Sequence, residues 1–160
     1  MYNTFSKFNN EVDIDGLQED IKKAAENNRN YKEVPLDTYE VKVEKMELTL
    51  TGEKSKNPGM PMVTIWFKIV AGEYKGSIIF YNKVILGTSD DGYMLHLVNE
   101  LLKSLQSGMA IEFKGYDKYA QLLLDIHECI DGKLEYALDY GENKQGYKTY
   151  EIINVFEVNK

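Results

Sequence analysis

The chain has 160 residues, of which 43% are hydrophobic and 28% are charged, a composition typical of one globular domain with its own core. Its net charge of −7 disfavours a protein that binds nucleic acid through an overall basic surface, although a local basic groove is compatible with it. Arg29 is the one arginine among 19 basic residues, and lysine favours contact with a phosphate backbone over recognition of bases.

A single cysteine, Cys129, excludes an intramolecular disulfide and is typical of a reducing compartment. No apolar run approaches the roughly 18 residues of a membrane-spanning helix. The N-terminus lacks the basic and apolar segments of a signal peptide. We therefore expect a cytoplasmic protein that has no membrane contact.

The first 30 residues predict an arm followed by a helix. Residues 1–12 are mostly polar and include Tyr2, Phe5 and Phe8, and Asp13 or Asp15 can cap a helix that ends near Asn27. Pro35 then favours an extended lead-in to the next element.

Residues 38–50 alternate as a β-strand, and the inward side chains change parity near Lys45. Val43 is the last inward residue before the change, and Met46 is the first after it. An extra residue here predicts a β-bulge, which bends a strand as a small barrel requires.

Residues 61–86 predict a β-hairpin. In its first strand apolar side chains alternate with more polar positions, so Trp66 and Lys68 share the outward face. In its second strand both parities are partly apolar, so either Phe80 or Tyr81 can lie on the same face as Trp66.

Two helices are predicted next. The first begins at Ser89 or Asp90 and ends near Ser107, and the second begins at Asp117 and ends before Gly132. Leucine and isoleucine recur at the helical period in both segments, which predicts one buried face on each helix.

Residues 133–140 and 147–158 predict a second hairpin. The order of elements predicts an α+β fold in which five strands form an OB-fold-like barrel, with helices between strands three and four and an N-terminal helix. We expect a single domain over residues 1–160, of which residues 1–30 are the arm and helix. An open α+β sheet with helices on one side is the alternative.

The two histidines do not indicate a metal or catalytic site. His127 lies near Asp125, Glu128 and Cys129, but on a helix Asp125 and Cys129 share a face from which His127 points away. The sequence also lacks a phosphate-binding loop and a nucleophile elbow. We therefore expect no cofactor, no metal and no enzymatic activity.

Aromatic and lysine side chains interleave around the first hairpin, a combination typical of proteins that bind single-stranded nucleic acid. Bases are expected to stack on Trp66 and on Phe80 or Tyr81. In the barrel plan, the loops of the first and last hairpins flank these rings. The other candidate residues are Lys42, Lys54, Lys56, Lys68, Lys83, Lys144, Tyr147 and Lys148.

The first hairpin resembles a phage family once catalogued only as a domain of unknown function. The shared pattern is W-x-K-x-x-x-G-x-Y-K-G, which here begins at Trp66 and ends at Gly76, and the resemblance covers residues 31–105. Members are often labelled single-stranded DNA-binding proteins of phage or prophage replication and recombination. The resemblance implies an OB-type fold, binding without catalysis, no cofactor, and a location in the cytoplasm of a bacterial host cell.

Two functions from different classes are compatible with these features. The first is a sequence-tolerant single-stranded DNA-binding protein that works with phage or host replication or recombination proteins. The alternative is an acidic phage protein-interaction module without nucleic-acid binding, which the net charge of −7 and the exposed aromatic residues favour. Because edge strands of small barrels often pair, a homodimer is a further expectation.

Overall fold

A computed structural model describes residues 34–55 and 58–158 of the chain. The predicted N-terminal arm and helix, over residues 1–30, lie outside the described residues. No helix in the described part is long and apolar enough to cross a membrane. The elements are β1 (Asp37–Leu50), β2 (Pro61–Ile69), β3 (Ile78–Val84), α1 (Asp91–Ser104), α2 (Tyr116–Ile130), β4 (Leu134–Glu142) and β5 (Lys148–Glu157).

The five strands form one antiparallel sheet in the order β3-β2-β1-β4-β5. The predicted α+β class is confirmed, as is the position of helices between the third and fourth strands. The closed barrel is not confirmed, because β3 and β5 are the two edges of the sheet. The side-chain hydroxyl of Tyr150 on β5 donates a hydrogen bond to the carbonyl of Phe80 on β3, with an O–O distance of 2.8 Å.

The sheet is strongly curved although it is open. Four strand spacings of about 4.8 Å would place the edges of a flat five-stranded sheet about 19 Å apart. Here the rings of Tyr81 on β3 and Tyr150 on β5 pack edge to face with centroids 4.9 Å apart. The two edges therefore approach each other across a gap that side chains fill.

The bulge predicted near Lys45 is confirmed and contributes to this curvature. The register between β1 and β2 shifts between Val43 and Lys45, which makes Glu44 the extra residue. Nε2 of His127 on α2 lies 3.0 Å from the carbonyl oxygen of Val43, so the backbone at the bulge has a side-chain partner. A bulge of this kind bends its strand and increases the local twist.

The concave side of the sheet packs against the helices and forms the core. The inward positions of β2 are Val63, Ile65 and Phe67, all 0% exposed. Tyr119 on α2 and Tyr136 on β4 are also fully buried. Burial of aliphatic and aromatic surface on this scale is the main stabilising contribution to a domain of this size.

Buried tyrosine hydroxyls connect the helices to one another and to the sheet. Tyr136 on β4 donates a hydrogen bond of 2.8 Å to the carbonyl of Leu105 at the end of α1. Tyr119 on α2 donates one of 2.6 Å to the side-chain oxygen of Asn99 on α1. Because α1 contacts both β3 and β5, these bonds fix the helix that lies beside the open edges.

The start of α1 agrees with the sequence prediction. The carboxylate of Asp90 accepts a hydrogen bond of 3.0 Å from the backbone N–H of Tyr93, as an N-cap residue does. The helix ends at Ser104, three residues before the predicted end near Ser107. Gln106 follows with a φ of 55°, a left-handed conformation that cannot continue a helix.

Candidate functional site

Trp66 lies on the outward face of β2, as the alternation of the strand predicts. Its neighbours along the strand, Ile65 and Phe67, are fully buried on the other face, whereas Trp66 itself is half-buried. The register pairs Trp66 with Lys45 of β1 on one side and with Phe80 of β3 on the other. Three strands therefore contribute side chains around one ring.

The rings of Trp66 and Phe80 form an edge-to-face pair. Their centroids are 5.5 Å apart, the planes lie at 85°, and Phe80 is 37% exposed. Pairs of this geometry contribute about 0.5–1.5 kcal/mol beyond their buried area. The pair therefore presents a stable aromatic surface to solvent.

Lys45 covers part of the tryptophan ring. Its ammonium lies 4.5 Å from the ring centroid, within the range of a cation–π contact. The sequence predicts the bulge but not this lysine, because only the position of the extra residue decides whether Glu44 or Lys45 stands opposite Trp66. We call this surface the Trp66 face, and define it as Lys42, Lys45, Glu47, Trp66, Lys68 and Phe80.

The lysines of the Trp66 face differ in their ion pairs. Lys42 lies 3.3 Å from the carboxylate of Glu44, and Lys45 lies 3.1 Å from that of Glu47. Lys68, which stands opposite Lys42 across the β1–β2 ladder, forms no ion pair with any described residue. Exposed ion pairs contribute at most about 1 kcal/mol, so a phosphate can replace these carboxylates at small cost.

On β3, alternate side chains point to opposite faces of the sheet. Phe80 and Asn82 lie on the same face as Trp66, whereas Tyr81 is 4% exposed on the concave side, and Lys83 shares its parity. The sequence left open whether Phe80 or Tyr81 lies on the same face as Trp66, and the structure places Phe80 there. Burial raises the pKa of Tyr81, as expected for a phenol removed from water.

Tyr81 and Lys83 line a cleft of about 760 Å³ between β3, β5 and α1. Tyr147 and Lys148, which the sequence assigned to the same site as Trp66, belong to this cleft. We call it the β3–β5 cleft, and its lining includes Asn82, Lys83, Tyr93, Asn143, Tyr147 and Lys148.

Burial lowers the pKa of Lys83, which is half-buried in the cleft. Its ammonium lies 5.9 Å from the centroid of the Tyr81 ring, and it forms no ion pair with any described residue. Desolvation also raises the pKa of Tyr150, at the base of the gap, to about 12.

The remaining candidate lysines lie in loops. Lys54 is exposed between β1 and β2, and Lys144 is exposed between β4 and β5. Lys56 lies outside the described residues. The sequence-predicted site is thus divided between the Trp66 face, the β3–β5 cleft and two hairpin loops.

The imidazole of His127 contacts the backbone carbonyl of Val43 and so contributes to the fold. In the part of the chain that the structure describes, no group of three or more His, Cys, Asp or Glu side chains is arranged to hold a metal ion.

A family model described as "Protein of unknown function (DUF669)" matches residues 20–158. This match extends beyond the 31–105 over which the sequence resemblance was noted, and includes both hairpins and both helices. No curated protein matches the chain. The chain therefore belongs to the DUF669 family of proteins of unknown function.

Proposed function

We propose that this protein binds single-stranded DNA without sequence preference, through the Trp66 face. The observation that supports this most directly is the Trp66–Phe80 pair with the ammonium of Lys45 at 4.5 Å from the tryptophan ring. Proteins that hold single strands combine aromatic rings with a cationic track in this way.

The proposal requires a base to compete with Lys45 for the tryptophan ring. A cation–π contact at an exposed site contributes about 0.5–1 kcal/mol, whereas stacking of a base on an aromatic ring contributes about 1–3 kcal/mol. The base is therefore the stronger partner. Lys45 then turns to the phosphate that accompanies the base.

Phosphates of the strand contact the lysines of the Trp66 face. Lys68 has no carboxylate partner in the described part of the chain, and Lys42 and Lys45 exchange a glutamate for a phosphate. Lysine makes a point contact and not a bidentate one, so these contacts hold the backbone and do not select bases.

We further propose that the fold is an open variant of the OB-fold. Its strand order, read from β3 to β5, matches that of an OB barrel opened between the third and fifth strands. The contact between Tyr150 and Phe80 across that opening supports this assignment. OB-folds bind strands on the β2–β3 face between the first and last hairpin loops, which here contain Lys54 and Lys144.

The setting that we propose is replication or recombination of a phage or prophage, with no catalytic step. The support is the hairpin pattern from Trp66 to Gly76. Phage or host proteins of those processes would be its partners, in the bacterial cytoplasm.

A second function has one observation in its favour. On the outward face of the β4–β5 hairpin, Asp139 stands opposite Glu151, and Glu135 stands opposite Phe156, which is 38% exposed. Like charges that face each other are destabilising, so a basic protein partner would relieve them. In this alternative the chain is an acidic interaction module that does not bind nucleic acid.

The Lys45–Glu47 pair provides a test that separates these functions. In Glu47→Gln the carboxylate that competes with phosphate is removed, so oligo-dT should bind about 1.5- to 5-fold more tightly, as the 0.2–1 kcal/mol of a surface ion pair predicts. Fluorescence anisotropy of a labelled oligo-dT at low salt measures this change.

The matched control is Glu112→Gln, because Glu112 pairs with Lys114 at the same distance of 3.1 Å, outside the sheet. This variant should bind as the wild type does. Equal gains of affinity in both variants would mean that only the net charge of the protein affects the binding of oligo-dT. Absence of binding by the wild type would favour the interaction module.

A further inference from the structure

The β3–β5 cleft is separate from the Trp66 face but shares a wall with it. Strand β3 directs Asn82 and Phe80, a residue of the Trp66 face, to the outward side of the sheet, and directs Tyr81 and Lys83 to the other side. Asn82 lies on the outward face and also lines the cleft. A chain that lies on the Trp66 face therefore reaches the cleft by crossing the edge of one strand.

Among the described residues, one cation of the cleft has no counter-charge. Lys83 is half-buried, and no described carboxylate pairs with it. Removing a cation from water without an anion is unfavourable, which agrees with its lowered pKa. Lys148 lines the same cleft from β5, and its ammonium lies 6.0 Å from the centroid of the Tyr140 ring, so each of the two edges contributes one lysine to the cleft. This arrangement is complementary to a phosphate group.

The rim of the cleft contains two exposed aromatic rings. Tyr93 at the start of α1 is 54% exposed, and Tyr147 at the start of β5 is 72% exposed. Met94 and Leu97 of α1 add an apolar surface inside. Rings at the entrance of a partly apolar cavity suit a nucleobase, which has flat faces and polar edges.

The loop that positions Tyr147 is held by its own hydrogen bonds. The side-chain oxygen of Asn143 accepts from the backbone N–H groups of Gln145 and Tyr147, both at 3.0 Å. A loop ordered before binding reduces the entropy lost when a ligand is held. The backbone that carries Tyr147 is therefore held by the turn of the β4–β5 hairpin.

We propose that the β3–β5 cleft binds one nucleotide of the single strand, with its phosphate at Lys83 and Lys148 and its base against Tyr147. The cleft volume of about 760 Å³ lies within the range of small-molecule sites. This inference rests on the proposed function, because the nucleotide belongs to a strand that also lies on the Trp66 face.

The test uses the full chain with methyl-labelled methionine, since Met94 lines the cleft. Addition of oligo-dT should shift the NMR methyl resonance of Met94, and thymidine monophosphate alone should shift it at higher concentration. In Lys83→Gln both shifts should be lost, and the affinity for oligo-dT should fall about tenfold, as for loss of one hydrogen bond to a charged group. The exposed Lys133 gives the control Lys133→Gln, which should leave both shifts intact.

Tyr147→Ala is the second variant, for the case that Lys83→Gln fails to fold. A side chain that is 72% exposed can be truncated without loss of the fold. This variant should weaken both shifts. If oligo-dT quenches Trp66 but leaves Met94 unmoved, the cleft inference is wrong while the proposed function stands. The cleft inference is also wrong if the Met94 methyl resonance shifts with thymidine monophosphate but not with oligo-dT. It is equally wrong if that resonance shifts only with an oligoglutamate peptide. If oligo-dT neither quenches Trp66 nor shifts the Met94 resonance, the proposed function is wrong.

Discussion

Replacement of Trp66 with alanine is expected to weaken the binding of oligo-dT by about 5- to 150-fold, which corresponds to the 1–3 kcal/mol of one stacked base. The ring lies at the centre of the Trp66 face, between Lys45 on β1 and Phe80 on β3. Its loss removes the stacking surface and also the partner that holds Phe80 in its edge-to-face geometry. Anisotropy of labelled oligo-dT measures the loss.

Two further variants show whether the loss comes from stacking. Trp66→Phe keeps a ring in place and should retain most of the affinity. Phe156→Ala removes an aromatic side chain of similar exposure to Phe80 from the β4–β5 part of the sheet and should have no effect. A Trp66→Ala protein with unaltered thermal unfolding and unaltered affinity would remove Trp66 from the interface.

From the phosphate contacts of the Trp66 face alone, binding is expected to weaken about 20-fold when salt is raised from about 50 mM to about 200 mM, and a phosphate in the β3–β5 cleft would add to this. Three lysines of the Trp66 face, Lys42, Lys45 and Lys68, each contact one phosphate in the proposed complex. For a single strand, the slope of log affinity against log salt is about −0.7 for each such contact, which gives about −2.1 here.

Lys68→Gln should reduce this slope to about −1.4, so that the same change of salt weakens binding about sevenfold. Lys68 is the most informative of the three, because it has no ion pair with a described residue to complicate the comparison. A slope near zero in the wild type would contradict phosphate contact. A slope unaltered by Lys68→Gln would place the phosphates elsewhere.

The structural features that depend on residues close together in the sequence were predicted correctly. The pattern around Trp66 on β2 predicted which side chains are buried, because the core covers one face of that strand. The change of parity near Lys45 predicted the bulge, since an extra residue is the one local way to keep Val43 and Met46 both inward. The cap at Asp90 follows from an equally local hydrogen bond.

The rest depends on pairing between distant segments. On β3 both Ile78 and Ile79 are buried, so alternation alone does not show that Phe80 stands beside Trp66. The predicted OB-fold-like barrel is not confirmed for a similar reason, because whether β3 and β5 pair depends on how far the whole sheet curves. Lys83 is a candidate residue from the sequence, but nothing local indicates that it is half-buried in a separate cleft, since a lysine near the end of an edge strand is ordinarily exposed.

Titration of the intrinsic fluorescence with oligo-dT at low salt tests the central claim most directly, because Trp66 is the one tryptophan of the chain. The proposed complex predicts saturable quenching as a base stacks on the indole, with the emission restored when salt is added. Unchanged emission, together with no change in the anisotropy of the labelled strand, would contradict single-stranded DNA binding at the Trp66 face.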